Sequence, residues 1–380
     1  MELGKTLEGK AMTEQIKLST MDLIEKKIID SLKKIKDGLP HTAAKDGIYD
    51  DTKPSWWTSG FWPGILWNLY DQTGNKDFEG NALSATKKIA TYFRGNQDKF
   101  DHDVGFQFLL TAVYHYEITG DEESKSIGIE AANFLAGRFN PIGNFIKSWD
   151  RAAGWVIIDC LMNLSLLFWA SRVTGDPRYK HIAILHADTF LKYGIREDGS
   201  TCHILSFDAE TGEFIEAIGG QGFSPDSSWS RGNAWAIYGY ANMYRFTGNE
   251  KYLYASKKIA HQFIASLPDD SVPYWDHRAD SIETEPRDSS AAAITASGLI
   301  ELGEHVPQNE KHIYLNAAKK ILNALSENYS TWDQPDHQAI LIKGTGHRPK
   351  GNFVNASLIY GDYFFIEAIS KLNGYNKHIF

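Results

Sequence analysis

The 380-residue sequence predicts an all-α fold: a closed (α/α)6 barrel of six helix hairpins, forming a single domain over residues 1–380. Three observations predict it. A Thr-Gly-Asn/Asp marker recurs as Thr73-Gly74-Asn75, Thr119-Gly120-Asp121, Thr174-Gly175-Asp176 and Thr247-Gly248-Asn249. Helical stretches flank each copy, as in NAWAIYGYANMYRF before TGN and EKYLYASKKIAHQFIASL after it. The two ends of the chain each carry a helix that lacks a neighbour in sequence, as the halves of one divided hairpin would. A glycine just past a helix end permits the left-handed conformation that stops it, and the following Asn or Asp caps the next helix.

In chain order, Thr13–Lys36 reads as an amphipathic helix, and residues 1–12 are expected to be a flexible segment. First helices of the hairpins are predicted near residues 58–72, 104–118, 156–173, 233–246, 289–304 and 355–371. Second helices are predicted near 14–36, 76–94, 122–136, 177–193, 249–266 and 309–327. The markers lie 46, 55 and 73 residues apart, so long loops are inserted in some units. The fifth copy is weaker, with SSAAAITASGLIELGEH turning at Val306–Asn309, and the sixth, NASLIYGDYFFIEAISKL, ends at Asn373-Gly374 with no full helix after it. The N-terminal helix supplies the missing partner. An open solenoid with capped ends is the alternative.

Composition narrows the function. No run reaches the roughly 18 apolar residues that cross a bilayer, and the charged first thirty residues carry no apolar signal region. Cys160 and Cys202 make neither a disulfide framework nor a metal-ligand spacing, which fits a reducing, cytoplasmic compartment. The net charge of −9 argues against nucleic acid but not against a small anionic substrate held by local cations. Aromatic residues make up 13% of the chain and include 11 tryptophans, which raises carbohydrate as a ligand because flat aromatic faces stack on sugar rings.

Counting back from the marker threonines aligns four residues. Trp57, Asp103 and Arg231 lie 16 before theirs and Asp159 lies 15 before. A helix of that length spans about 22 Å, so the four fall at one end of successive first helices. The loops that enter there, PSWWTSGFWPG, FDHDVGFQF, NFIKSWDRAAGWVIIDC and GQGFSPDSSWSRGNAW, are irregular, as site-building loops are. Each residue also has a structural reading: Asp103 as a helix cap, Arg231 as an ion-pair partner, Trp57 and Trp235 as core. Asp159, inside WVIIDCLMNL, is set among apolar residues and beyond the expected cap position. Burial without a charge partner disfavours an ionised carboxyl, which suits a proton donor, although a backbone bond or Arg231 is the structural alternative. His102 has no second His or Cys at ligand spacing, so no metal is expected. Two carboxyls facing one aromatic-walled funnel are the arrangement for glycoside cleavage.

WTSGFWPG, HDVGF, SWD, IIDCLMNL, the histidine of TCHILSFD, QGFSPDSSWSRGNAWAIYG and YGDYFFIEA together resemble glycoside hydrolase family 88, the unsaturated glucuronyl hydrolases, over most of the chain. The resemblance implies an (α/α)6 barrel that hydrates the C4=C5 double bond of a non-reducing-end unsaturated uronate, with no metal or organic cofactor. It implies Asp159 as the acid that protonates C4 and then activates water, and Asp103 as the second essential carboxyl. It implies His102, His203, Gln221 and Arg231 at substrate-binding positions, and Trp57, Trp149 and Trp235 as aromatic walls. The segment LIKGTGHRPKGN brings Lys343, His347, Arg348 and Lys350 to the same face, and Arg348 and Lys350 are candidates for a sulfate on the substrate. A solvated cationic loop is the alternative for this segment. An unsaturated rhamnogalacturonyl hydrolase and a non-catalytic carbohydrate-binding toroid are the competing readings; no oligomeric state is implied.

Overall fold

The computed structural model describes residues 20–380, and the expected flexible segment at 1–12 lies outside them. Among the described residues the helices are α1 (20–35), α2 (Phe61–Thr73), α3 (Lys76–Gly95), α4, α5 (Glu122–Ala136) and α6 (Cys160–Thr174). They continue as α7 (Arg178–Gly194), α8 (Ser230–Thr247), α9 (Glu250–Ala265), α10 (Ser289–His305), α11 (Gln308–Asn328) and α12 (Ile359–Leu372). Helix α4 runs through Val104–Phe108, a π-helical turn at Leu109–Val113 and Tyr114–Thr119. The even-numbered helices form the inner ring and the odd-numbered ones the outer ring.

Composition sorts the two rings. Inner helices are apolar on every side: α10 buries all of Ser289–Gly303, and α12 buries Ile359–Ser370. Outer helices bury one stripe, as α3 does with Phe78, Ala82, Ala85, Ile89 and Phe93. Inner neighbours approach closely at glycines. A β-carbon added at Gly64 would lie 2.9 Å from Leu110, at Gly105 2.4 Å from Asn163, at Gly239 2.7 Å from Leu161, and at Gly298 2.9 Å from Tyr238. Helix α12 packs on both α10 and α2, which closes the ring. On the outside, α1 completes the divided hairpin: Lys27 donates to the carbonyls of Thr331 (3.1 Å) and Gln334 (2.8 Å), and Ser31 to that of Gln338 (2.7 Å).

The marker threonine has a structural job. In all four copies its hydroxyl donates to the carbonyl four residues back and accepts from the N–H two residues on, as in Thr247 to Met243 (2.6 Å) and Asn249 to Thr247 (3.2 Å). The glycine between is left-handed each time, with φ between 66° and 74°. Asn75, Asp121, Asp176 and Asn249 then accept from the first N–H groups of the next helix.

The opposite end carries strands that the sequence reading counted as helix or loop. Strand β1 (Thr42–Ala43) pairs with β8 (Asn352–Leu358), which pairs with β7 (Gly344–His347). Strands β2 (Phe139–Asn140) and β3 (Phe145–Ile146) form a hairpin. Strands β4 (Trp155–Ile157), β5 (Ile204–Phe207) and β6 (Phe214–Ile218) form a third sheet. The first helices placed near 156 and 355 therefore start later, at Cys160 and Ile359, because strands β4 and β8 pair with neighbouring strands there. Cys160 and Cys202 are both buried and unpaired. Among the described residues no helix is long and apolar enough to cross a membrane.

Candidate active site

Trp57, Asp103, Asp159 and Arg231, aligned in the sequence by their distance from the markers, all border one cavity of about 470 Å³ at the loop end. Trp149, Gln221, Trp235 and Lys350 border it too. His102, His203 and Arg348 do not, and each has a different reason.

His102 lies behind the two carboxyls, with its side chain 0% exposed. Its Nδ1 donates to the carbonyl of Ser148 at 3.0 Å, and its Nε2 faces Asp159 Oδ1 at 3.0 Å and Asp103 Oδ1 at 3.4 Å. Burial alone would lower this imidazole, but Asp103, the bond to Asp159 and Asp101 outweigh burial and raise it to about 10. It is a protonated clamp that points both carboxyls into the same few ångströms of space, and it does not touch the cavity.

Asp159 is the N-cap residue of α6, not a mid-helix residue, and makes no capping bond. Its supposed isolation is corrected as well: the partner is His102, 57 residues away in the chain. Among the described residues its Oδ2 has no protein hydrogen-bond partner, which leaves one oxygen for chemistry. Asp103 is the N-cap residue of α4, again with no capping bond. Its Oδ1 accepts from Asn163 Nδ2 at 3.3 Å. Burial, reinforced by Asp101 and Asp159, pushes its carboxyl well above the usual carboxylate range against the pull of His102. The site therefore sets two carboxyls side by side around one buried imidazole.

Arg231 takes the structural role weighed for it. Its Nη1 binds Asp288 at 2.7 Å and the carbonyl of Thr345 at 2.5 Å, and its Nη2 binds Gln221 Oε1 at 2.8 Å and the carbonyl of Gly346 at 2.6 Å. All four Nη hydrogens are thus engaged by the protein. What Arg231 gives the cavity is a buried positive potential and a fixed Gln221, whose amide nitrogen is turned outward. His203 accepts from the Gln221 N–H through Nδ1 at 2.7 Å, so its proton sits on Nε2, which is buried without a protein partner. Burial holds His203 down to about 4.

Trp57 packs against Phe106 and Tyr360, and Trp149 stands edge-on to His102 at 5.7 Å. Trp235, 1% exposed, is a floor residue packed on Phe106 and Phe364. Of the four basic residues from the sulfate candidate segment, only His347 and Lys350 border the cavity. Arg348 is tied to Glu285 through Nε at 2.9 Å and Nη2 at 3.3 Å, outside the lining of the cavity. Lys343 sits over the Tyr329 ring. The sequence reading missed His41, Trp56, Phe353 and Tyr360, which complete the walls.

Asp101, His102 and Asp103 offer ligand atoms within 4.8 Å of one another. A metal-bound imidazole needs a bare nitrogen, and both nitrogens of His102 act as donors, so this donor set does not fit a cation. A wider cleft of about 940 Å³ opens at the turn end, between Phe168, Phe246 and the segment Tyr375–Ile379. Its one lining carboxylate, Glu117, is engaged by Trp169 and Arg172, so it has no acid pair. Of these two cavities, the smaller carries the acid pair.

With this geometry in hand, comparison with known proteins is informative. The model of Glycosyl Hydrolase Family 88 matches residues 24–377. The chain is 35% identical over 353 residues to the unsaturated glucuronyl hydrolase of Bacillus sp. strain GL1, covering 90% of this chain and 93% of that one. It is 34% identical over 359 residues to the unsaturated chondroitin disaccharide hydrolase of Streptococcus pyogenes serotype M1, covering 92% and 90%. Its structure superposes with a TM-score of 0.84, at 30% identity and covering 96% and 94%, on a mutant unsaturated glucuronyl hydrolase from Streptococcus agalactiae complexed with dGlcA-GalNAc6S.

Proposed function

The chain belongs to glycosyl hydrolase family 88, and from that premise we propose that it cleaves unsaturated uronyl disaccharides released from glycosaminoglycans by lyases. The observation that carries the reading is the convergence of Asp159 and Asp103 on one side of a single imidazole, at the floor of a sugar-sized cavity walled by tryptophan.

In this reading the unsaturated ring lies over Trp57 with its C4=C5 bond above Asp159. A proton held in the Asp103–His102–Asp159 cluster passes to Asp159, which delivers it to C4 through the oxygen that His102 leaves unengaged. Positive charge then develops on C5 and the ring oxygen, and the carboxylate left on Asp159 takes a proton from the water that adds to C5. The resulting hemiketal opens and releases the second sugar. Asp103, held in place by Asn163, bonds a ring hydroxyl and holds the plane of the sugar. Gln221, fixed by Arg231 through its side chain and by His203 through its backbone N–H, and the potential of Arg231 favour the carboxylate of the uronate. His102 acts through the carboxyls and is a positioning residue.

The free, buried cysteines fit a reducing compartment, and we place the reaction in the cytoplasm. The test is loss of the conjugated uronate's ultraviolet absorbance when purified protein meets an unsaturated chondroitin disaccharide. An unchanged spectrum would remove the proposal. Faster loss on pectin-derived disaccharides would move the substrate to rhamnogalacturonan fragments.

A further inference from the structure

Between α9 and α10 runs a segment, residues 273–288, none of which lines the cavity. Its two ends close into a stem: Trp275 donates to the Pro286 carbonyl at 3.0 Å, and Asp288 to that of Pro273 at 2.9 Å. The stem carries two acids, Asp276 and Asp288, each 0% exposed. Asp288 holds Arg231 at 2.7 Å. Asp276 takes hold of a different piece of chain, the loop from β6 to α8.

Oδ2 of Asp276 accepts from the Phe223 N–H at 2.9 Å and from the Ser227 hydroxyl at 2.7 Å. Its Oδ1 accepts from the N–H groups of Ser228 at 3.2 Å and Arg278 at 2.9 Å. A carboxylate taken out of water needs such partners, and these four are all neutral. Two main-chain bonds add to the grip, from Ser230 to the Trp275 carbonyl at 3.1 Å and from His277 to that of Ser228 at 2.8 Å. The loop so held has neither helix nor strand and sets Gln221 among Gly219, Gly220 and Gly222. Glycines leave a chain many paths, so its course has to be fixed from outside. His203 and Arg231 fix Gln221 itself. Asp276 fixes the chain that follows it: a β-carbon at Gly222 would lie 3.4 Å from Oδ2.

We propose that Asp276 is a positioning residue for the reaction, acting through residues 222–228 to set Gln221 against the uronate carboxylate. The proposal rests on the reaction proposed above. Asp276 itself never touches substrate.

Asparagine is the sharpest probe of the clasp. With its amide nitrogen in place of Oδ1 it would face two N–H groups, those of Ser228 and Arg278. In place of Oδ2 the nitrogen can donate to the Ser227 hydroxyl, which still reaches the Ser224 carbonyl at 2.8 Å. Only the Phe223 N–H, two residues from Gln221, is then left unpaired. On an unsaturated chondroitin disaccharide, Asp276→Asn should raise KM about fivefold and leave kcat within about twofold. Gln221→Ala should raise KM too, and Asp276→Asn added to it should raise KM no further. Losses that multiply in the double variant, a kcat that falls with KM unmoved, or no change in Asp276→Asn overturns the role. Where Asp276→Asn does not fold, Ser227→Ala removes one bond and keeps the carboxylate. It should raise KM about twofold, but not in the Gln221→Ala background. An unchanged KM, or an equal rise in both backgrounds, is then the overturning result. A wild-type protein inert on the disaccharide removes the reaction and the role with it, an outcome distinct from losses that multiply.

Discussion

The two ends of the barrel bury a carboxyl each and treat it in opposite ways. At the turn end Glu301, 0% exposed, meets Arg245 at 3.1 Å, Lys371 at 3.5 Å, His305 at 3.2 Å and His378 at 2.9 Å. Burial alone would push its carboxyl up, but these partners outweigh burial and hold it well below the usual range. At the loop end Asp103 is buried beside Asp101 and Asp159 with one imidazole to offset them, and it is pushed up instead. The first arrangement satisfies a charge. The second leaves the carboxyl cluster with a raised affinity for a proton, as acid–base chemistry requires, at a cost in stability that the rest of the barrel offsets. Backbone follows the same division: four near-identical turns at one end, and left-handed Phe353, Asn355 and Lys343 at the other.

If the loop end is built for chemistry, removing its acid should cost rate and not stability. Asp159→Asn is expected to lower kcat by about 10²–10⁴-fold, because an amide cannot deliver and recover a proton. Its Tm should stay near that of wild type, since the amide keeps an oxygen that accepts from His102 Nε2. Near-normal turnover in this variant would end the assignment of Asp159. The turn end should behave in reverse. Glu301→Gln takes the carboxylate from Arg245 and leaves Lys371 with Glu367 at 3.7 Å alone, and should cost about 3–5 kcal/mol in urea unfolding. Activity per folded molecule should be unchanged. A large loss of activity in folded Glu301→Gln would show that the two ends are coupled, and the comparison would fail.

Acid should separate the ends further. His41 and His186 are depressed to about 3 by burial, and His203, His277 and His347 to about 4. Each is neutral in the native protein and charges on unfolding near its ordinary value of about 6.5. Their contribution to stability is complete above that value and is lost as pH falls through 6.5 toward 3–4. Asp362, raised to about 6 by burial, has the opposite sign: it stabilises fully below its ordinary value, and that contribution is lost as pH rises through about 6. Five histidines outnumber Asp362 and Asp103, so urea midpoints should fall between pH 6.5 and 4.5. His41→Phe should flatten that slope by about 1.4 kcal/mol per pH unit. A slope unchanged in the variant would mean that His41 is charged in the native state.

How much of this was legible in the chain follows from how local each signal is. The four turns could be read because Thr, Gly and Asn or Asp sit side by side and do their work within a few residues. Trp57, Asp103, Asp159 and Arg231 could be aligned because each keeps a fixed distance from such a turn. Partners could not be read. His102 is 57 residues from Asp159, and Asp288 is 57 from Arg231, with no pattern to join them. Arg348 looked free because Glu285 lies 63 residues upstream. His41 precedes the first marker and meets Phe353 only because β1 pairs with β8. The short strands, none longer than seven residues, gave too little alternation to compete with helical patterns on either side.

The mildest prediction concerns the turns. A β-carbon added at Gly74, Gly120, Gly175 or Gly248 would meet nothing within 4 Å, so replacing any of them tests backbone conformation alone. Gly248→Ala keeps the N–H that reaches the Tyr244 carbonyl at 2.7 Å but forces alanine to φ 66°. The expected loss is about 1–2 kcal/mol, with kcat and KM unaltered. Gly248→Asn should lose less, because asparagine tolerates the left-handed region. If two such substitutions in separate turns add, the turns act as independent stops along the ring. If they fall short of adding, or if Gly248→Ala changes KM, the turn end is not the passive scaffold that the comparison makes it.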